Sequence, residues 1–267
     1  MTSKQFYLLL KKDLGHTATQ KQDLGLQLLS KFIVDEHLDY IYVLKGYAGT
    51  GKTTMIGTLV KNIGKIRKKL ILTAPTGRAA KVISNYSKQH AQTVHRKIYY
   101  PKKTSGGGVD FVPQQNKHKN TIFIVDEASM IPDIPTGEDL FKSNSLLEDL
   151  IEYVYAGENC QLIFIGDTAQ LPPVKAELSP ALSEETLQRQ FGMEVISVEL
   201  DEVVRQELES DILRNATLIR TALQEEIYES FQFELTGKSD LIRLVDGYEI
   251  MDAINDAYHN NGHEDTA

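Results

Sequence analysis

Gly46, Ala48, Gly49, Thr50, Gly51, Lys52, Thr53 and Thr54 fall in the run GYAGTGKTT at residues 46–54, which fits G-x-x-x-x-G-K-[ST]. Glycines at this spacing let consecutive backbone N–H groups close around a phosphate chain, and the following helix adds the positive end of its dipole. Lys52 is then placed for the β- and γ-phosphates, and the Thr53 hydroxyl for Mg²⁺. A second run, IFIVDEASM at 122–130, is apolar and ends in two adjacent acids. Asp126 suits a magnesium ion held through water, and Glu127 suits orienting and deprotonating an attacking water. The paired acids favour hydrolysis over simple nucleotide binding. A third run, IGDTAQLPPV at 165–174, projects Asp167 and Gln170 from a polar loop. Gln170 can contact a γ-phosphate there, although an Asp-capped turn without a ligand explains the same residues.

These side chains need a scaffold that brings strand ends together. Ile41–Leu44, Leu70–Ala74, Thr121–Val125 and Gln161–Ile165 are short β-branched and apolar runs, expected as buried parallel strands. Lys4–Lys12, Gln20–His37, Thr53–Ile63 and Thr76–Ser87 are expected as helices, with Thr17–Gln20 opening the second. The alternation predicts an α/β fold of RecA-like P-loop type: a mostly parallel sheet with helices on both faces. Between Tyr99 and Asn120, Pro101, three consecutive glycines and Pro113 separate two β-prone runs, which predicts an inserted hairpin over 99–120. The expected division is thus 1–98 and 121–206 for the ATPase domain, with a helical, acidic extension over 207–267.

Composition excludes some classes. The 267 residues contain one cysteine, Cys160, so an intrachain disulfide and a cysteine zinc cluster are impossible, which suits a reducing cytoplasm. No apolar run reaches the ~18 residues needed to span a bilayer, and the N-terminal stretch reads as a helix, not a signal peptide. The net charge of −8 is unevenly spread: residues 61–119 carry 14 Lys and Arg against one acid, Asp110. A local basic surface of this kind can attract a polyanion even when the chain as a whole is acidic. Tyr86, Tyr99, Tyr100 and Phe111 interleave with these cations and could stack bases, though each taken singly reads more readily as a core residue.

GYAGTGKTT, TAPTGRAA (73–80), TVH (93–95), IVDEASM, GDTAQLPPV and VVRQ (203–206) occur in the order seen in superfamily 1 DNA helicases. The chain resembles the RecD-like and Dda-like branch, which moves 5′ to 3′ on single-stranded DNA, over roughly residues 17–206. The resemblance implies ATP and Mg²⁺ as cofactors and a role for each matching position. Gln20 looks like the glutamine that reads adenine, with Gln22 as its rival. Gln170 is similar to the residue linking phosphate state to the DNA track. Arg205 resembles an arginine that stabilises the transferring phosphoryl group, although a salt bridge to a nearby acid such as Glu202 competes. Pro75, Thr76, Arg78, Thr93 and His95 match positions lining the single-strand track.

The family pattern also calls for a second RecA-like domain, and no second glycine loop or TAPT-like run follows Gln206. The sequence therefore reads as the N-terminal motor half, with slow hydrolysis expected of it alone. A single-strand binding module without unwinding activity, and a P-loop ATPase acting on RNA, stay open as alternatives.

Overall fold

The computed structural model describes residues 1–35, 39–103, 107–133, 145–170, 173, 179–202, 210–225, 232–236 and 241–261. The chain divides into two compact units, Met1–Val204 and Arg205–Ala267.

The first unit opens with α1 (Ser3–Asp13) and α2 (Gln20–Val34), each started by a capping box, Thr2 with Gln5 and Thr19 with Gln22. Then follow β1 (Tyr40–Gly46), α3 (Lys52–Asn62), β2 (Lys69–Ala74), α4 (Gly77–Ser87), β3 (Ala91–Thr93) and the short α5 (Val94–Ile98). A hairpin, β4 (Tyr99–Lys103) and β5 (Val109–Pro113), interrupts the alternation. It is followed by β6 (Thr121–Val125), α6 (Leu146–Tyr155), β7 (Gln161–Gly166), α7 (Glu184–Phe191) and β8 (Glu194–Leu200).

Six strands form one sheet in the order β3-β2-β6-β7-β1-β8, and every neighbouring pair is parallel. Two of these strands, β3 and β8, are absent from the sequence reading, and they are the two edges. The period-2 alternation of side chains explains the layering. Tyr42, Leu44, Ile122, Ile124, Ile163 and Ile165 point into a core shared with α1, α2, α3 and α4. Ile41, Val43, Phe123, Val125, Leu162 and Phe164 point into the opposite core, shared with α5, α6 and α7. The middle positions of β1, β6 and β7 are therefore apolar on both faces, as a sheet covered on both sides requires. Because all six strands run the same way, Gly46, Ala74, Thr93, Val125 and Gly166 all end on one edge.

The second unit contains α8 (Asp211–Gln224) and α9 (Gly247–Asn261). The stretch 234–236 is clipped along α8: Asp211 accepts from the Thr236 backbone and hydroxyl, and Asn215 exchanges hydrogen bonds with the Glu234 backbone at 2.7 Å each. Among the described residues no helix is long and apolar enough to cross a membrane.

Candidate nucleotide site and adjoining cleft

The glycine loop leaves β1 at Gly46, which faces Leu200 across the β1–β8 ladder. A Cβ on Gly46 would lie 2.8 Å from the Leu200 carbonyl oxygen and 2.8 Å from the Thr50 hydroxyl, so no other residue fits there. Gly49 and Gly51 adopt φ of 80° and 88°, the left-handed region that glycine enters without a Cβ penalty. Gly51 caps α3 without a side chain, which leaves that helix end suited to an anion rather than to its own cap. Lys52 Nζ donates to the carbonyls of Gly46 at 2.5 Å and Tyr47 at 2.8 Å, so an incoming phosphate must replace two loop contacts to take it. Thr50 is buried and donates to Tyr47 O, while Thr53 and Thr54 are exposed on the first turn of α3.

The helix start sets where Gln20 and Gln22 point. Thr19, not Thr17, is the N-cap of α2, so Gln20 lies exposed at the first position and Gln22 turns inward. Gln22 is fully buried; its Nε2 donates to the Thr50 carbonyl at 2.9 Å, and its Oε1 lies 3.1 Å from His16 Nε2. Of the two glutamines weighed for reading adenine, Gln22 is therefore the one that touches the loop, and Gln20 faces solvent.

Asp126 and Glu127 follow β6. The Asp126 N–H donates to Thr73 O, its Oδ1 accepts the Glu127 N–H at 3.1 Å, and its Oδ2 accepts the Tyr86 hydroxyl at 2.8 Å. Glu127 sits at φ 56°, a strained position for a side chain with a Cβ, of the kind that clusters at functional sites. Burial raises the pKa of both acids; nearby Asp126 raises that of Glu127 further, while the nearby Gln170 amide opposes the shift. Gln170 accepts from the Ser129 hydroxyl at 2.9 Å, which holds its amide beside the acids. Asp167, at the start of the same loop, is turned back to accept the Ala169 N–H.

Asp126 and Thr53, the residues expected to hold a metal, offer oxygen donors only. Oxygen donors suit Mg²⁺, which draws most of its shell from water and phosphate. Among the described residues no three His, Cys, Asp or Glu are grouped to hold a metal.

The expected track residues lie on the same sheet edge. Thr76, two residues past the end of β2, and Thr93, which ends the adjacent parallel β3, cap α4 and α5, accepting the Ala79 and Arg96 N–H groups at 3.2 Å each. The α4 start is thus partly satisfied by Thr76 itself, yet a capping hydroxyl still has its proton to donate. Thr76 and Arg78 line a cleft of about 490 Å³ with Asp126, Glu127 and Gln170. Pro75 is half-buried and Arg78 exposed. His95 is half-buried, its ring 5.9 Å from that of Tyr99, and burial lowers its pKa. Of the four aromatic residues, Tyr99 is buried against Asp149, Tyr86 is bound to Asp126, Phe111 is half-buried and Tyr100 is exposed. Arg205 and the rest of VVRQ, with Leu171, Pro172 and Val174 of the third run, lie outside the described residues.

Residues 33–233 match the model of the AAA domain family. An uncharacterised protein of Methanocaldococcus jannaschii is 33% identical over 169 residues, covering 59% of this chain and 13% of that protein. The ATP-dependent RecD2 DNA helicase of Deinococcus radiodurans is 29% identical over 182 residues, covering 66% of this chain and 21% of the helicase. Among solved structures, the Pif1 helicase of Candida albicans aligns over 92% of this chain and 55% of that one, at 19% identity and a TM-score of 0.48. The chain thus spans about a fifth or less of the curated relatives it matches. With the family model covering most of its length, the chain belongs to the AAA domain family and carries the motif order of a RecD-like superfamily 1 motor domain.

Proposed function

We propose that this chain is the first motor domain of an ATP-dependent DNA helicase, which hydrolyses ATP while tracking along single-stranded DNA, 5′ to 3′. One observation carries the reading: the two acids expected to drive hydrolysis share a cleft with Thr76 and Arg78, the residues expected to touch the strand. The kinship with a RecD2 DNA helicase supports DNA as the polymer.

In this reading the loop amides and Lys52 bind the phosphates, and Gln22 braces the loop from beneath. When bound, Mg²⁺ neutralises phosphate charge and fixes the orientation of the terminal phosphate; Thr53 and Asp126 hold it. Glu127 takes the proton from water, and Gln170 fixes the Glu127 carboxylate while facing the cleft. Arg205 contributes a permanent cation to the same reaction. Thr76, Arg78, Pro75, Thr93 and His95 hold the strand, whose backbone contacts make binding salt-dependent. A second RecA-like domain supplies the opposite wall of the nucleotide cleft, since translocation needs two bodies that close on ATP. The cytoplasm is the proposed location, in keeping with the single buried cysteine.

ATP turnover measured with no polymer, with single-stranded DNA and with RNA tests the reading. Stimulation by DNA is expected. Equal stimulation by RNA would favour an RNA-directed ATPase, and binding without any stimulation would favour a passive binding module.

A further inference from the structure

Tyr86 lies one residue before the end of α4, on the helix whose first turn carries Arg78. Eight residues separate the two, about 12 Å of rise along a single helix. The Tyr86 hydroxyl donates to Asp126 Oδ2 at 2.8 Å. The other contacts of the Asp126 peptide and carboxylate described above come from β2 and from its own neighbour Glu127. Among the described residues, Tyr86 is therefore the helix side chain that hydrogen-bonds to this carboxylate. The helix is well placed to act as a lever, since Ala80 and Ile83 fix its inner face in the core while Arg78 stays exposed in the cleft.

We infer that Tyr86 is a positioning residue: its hydroxyl fixes the Asp126 carboxylate for Mg²⁺ from α4, and so ties the strand-binding helix to the metal site. The inference rests on the functional reading above for the metal and the strand, but the bond itself is independent of it. A carboxylate oxygen can accept the phenol and a metal-bound water together, so Tyr86 selects the orientation in which the remaining lone pairs serve the ion. A strand that shifts α4 then changes the presentation of Asp126 without touching it.

Tyr86→Phe removes the hydroxyl and keeps the ring. Fluorescent mant-ADP bound to this chain is titrated with Mg²⁺ without DNA, alongside Asp126→Asn and the double variant. The half-saturating Mg²⁺ concentration should rise about tenfold in Tyr86→Phe, the scale of one hydrogen bond to a charged group. The double variant should be no worse than Asp126→Asn alone. Thermal unfolding of each variant checks that the fold is kept. Half-saturation within twofold of the unmodified chain, or additive effects in the double variant, overturns the inference. ATP turnover at saturating Mg²⁺ is read in the same preparations. A weaker stimulation by single-stranded DNA in Tyr86→Phe, at unchanged DNA affinity, supports the tie to α4, and an unchanged stimulation overturns that tie. If the unmodified chain ignores DNA altogether, the functional reading falls, while the Mg²⁺ titration still decides the role of Tyr86.

Discussion

The hydroxyl of Ser129, two residues beyond Glu127, donates to Gln170 Oε1 at 2.9 Å. One amide therefore joins the loop after β7 to the turn that carries the acids after β6. Gln170→Ala should slow ATP hydrolysis by roughly tenfold to a hundredfold, since it loosens the proposed base rather than removing it. Nucleotide affinity should stay within about threefold. Steady-state turnover and mant-ATP titration separate the two, and a loss confined to affinity would refute the assignment.

Lys52 holds two loop carbonyls and is the proposed partner of the terminal phosphates. Lys52→Ala should abolish measurable ATP binding by calorimetry, while single-strand affinity by anisotropy stays nearly the same. Retained ATP turnover in this variant would remove the glycine loop from the reaction.

Glu127→Gln should lower hydrolysis by about 10²–10⁴-fold if Glu127 is the base. A pH effect accompanies it. The Glu127 pKa is raised on folding, by burial first and then by Asp126. A carboxyl with a raised folded pKa stabilises the fold below its unfolded pKa, and that contribution is lost as pH rises through the folded value. In EDTA and without nucleotide, Glu127→Gln should therefore raise Tm more at about pH 8 than at about pH 5, by roughly 2 °C at the higher pH. An equal shift at both pH values would contradict this origin of the strain.

The hairpin invites deletion of Lys103–Lys117 as a test of strand separation, with ATP turnover spared. The structure narrows the cut. Asn116 is buried and donates to the carbonyls of Tyr153 and Val154, so removing it takes a buried donor from the Tyr153 carbonyl at a cost of about 1–3 kcal/mol. Lys102→Ala with Lys103→Ala, both exposed on β4, is the cleaner variant. Unwinding by a longer protein containing this domain should fall, and its DNA-stimulated ATP turnover should persist. Equal loss of both activities would assign the hairpin to strand binding instead.

The central strands and the glycine loop were legible because local sequence dictates them: an apolar run buried on both faces, then glycines at a left-handed φ that other residues rarely adopt. β8 was not, because an edge strand is half-solvated and Glu194 and Glu199 break its apolar run. β3 is three residues long and pairs on one side only. Gln22 was not separable from Gln20 by its capping box, because Thr17 with Gln20 and Thr19 with Gln22 both read Thr-x-x-Gln, and only the fold shows which one starts α2. Tyr86 was not legible either, because its partner lies 40 residues away and nothing local distinguishes a tyrosine at a helix end from a packing residue.

The one-way sheet divides the domain into a working rim and a rim with no proposed contacts. At the second of these the chain turns tightly before β2, where Arg67 adopts a φ of 59°. A small reporter spliced in at that turn would ride on the motor far from its moving parts, and could follow a working molecule along its track.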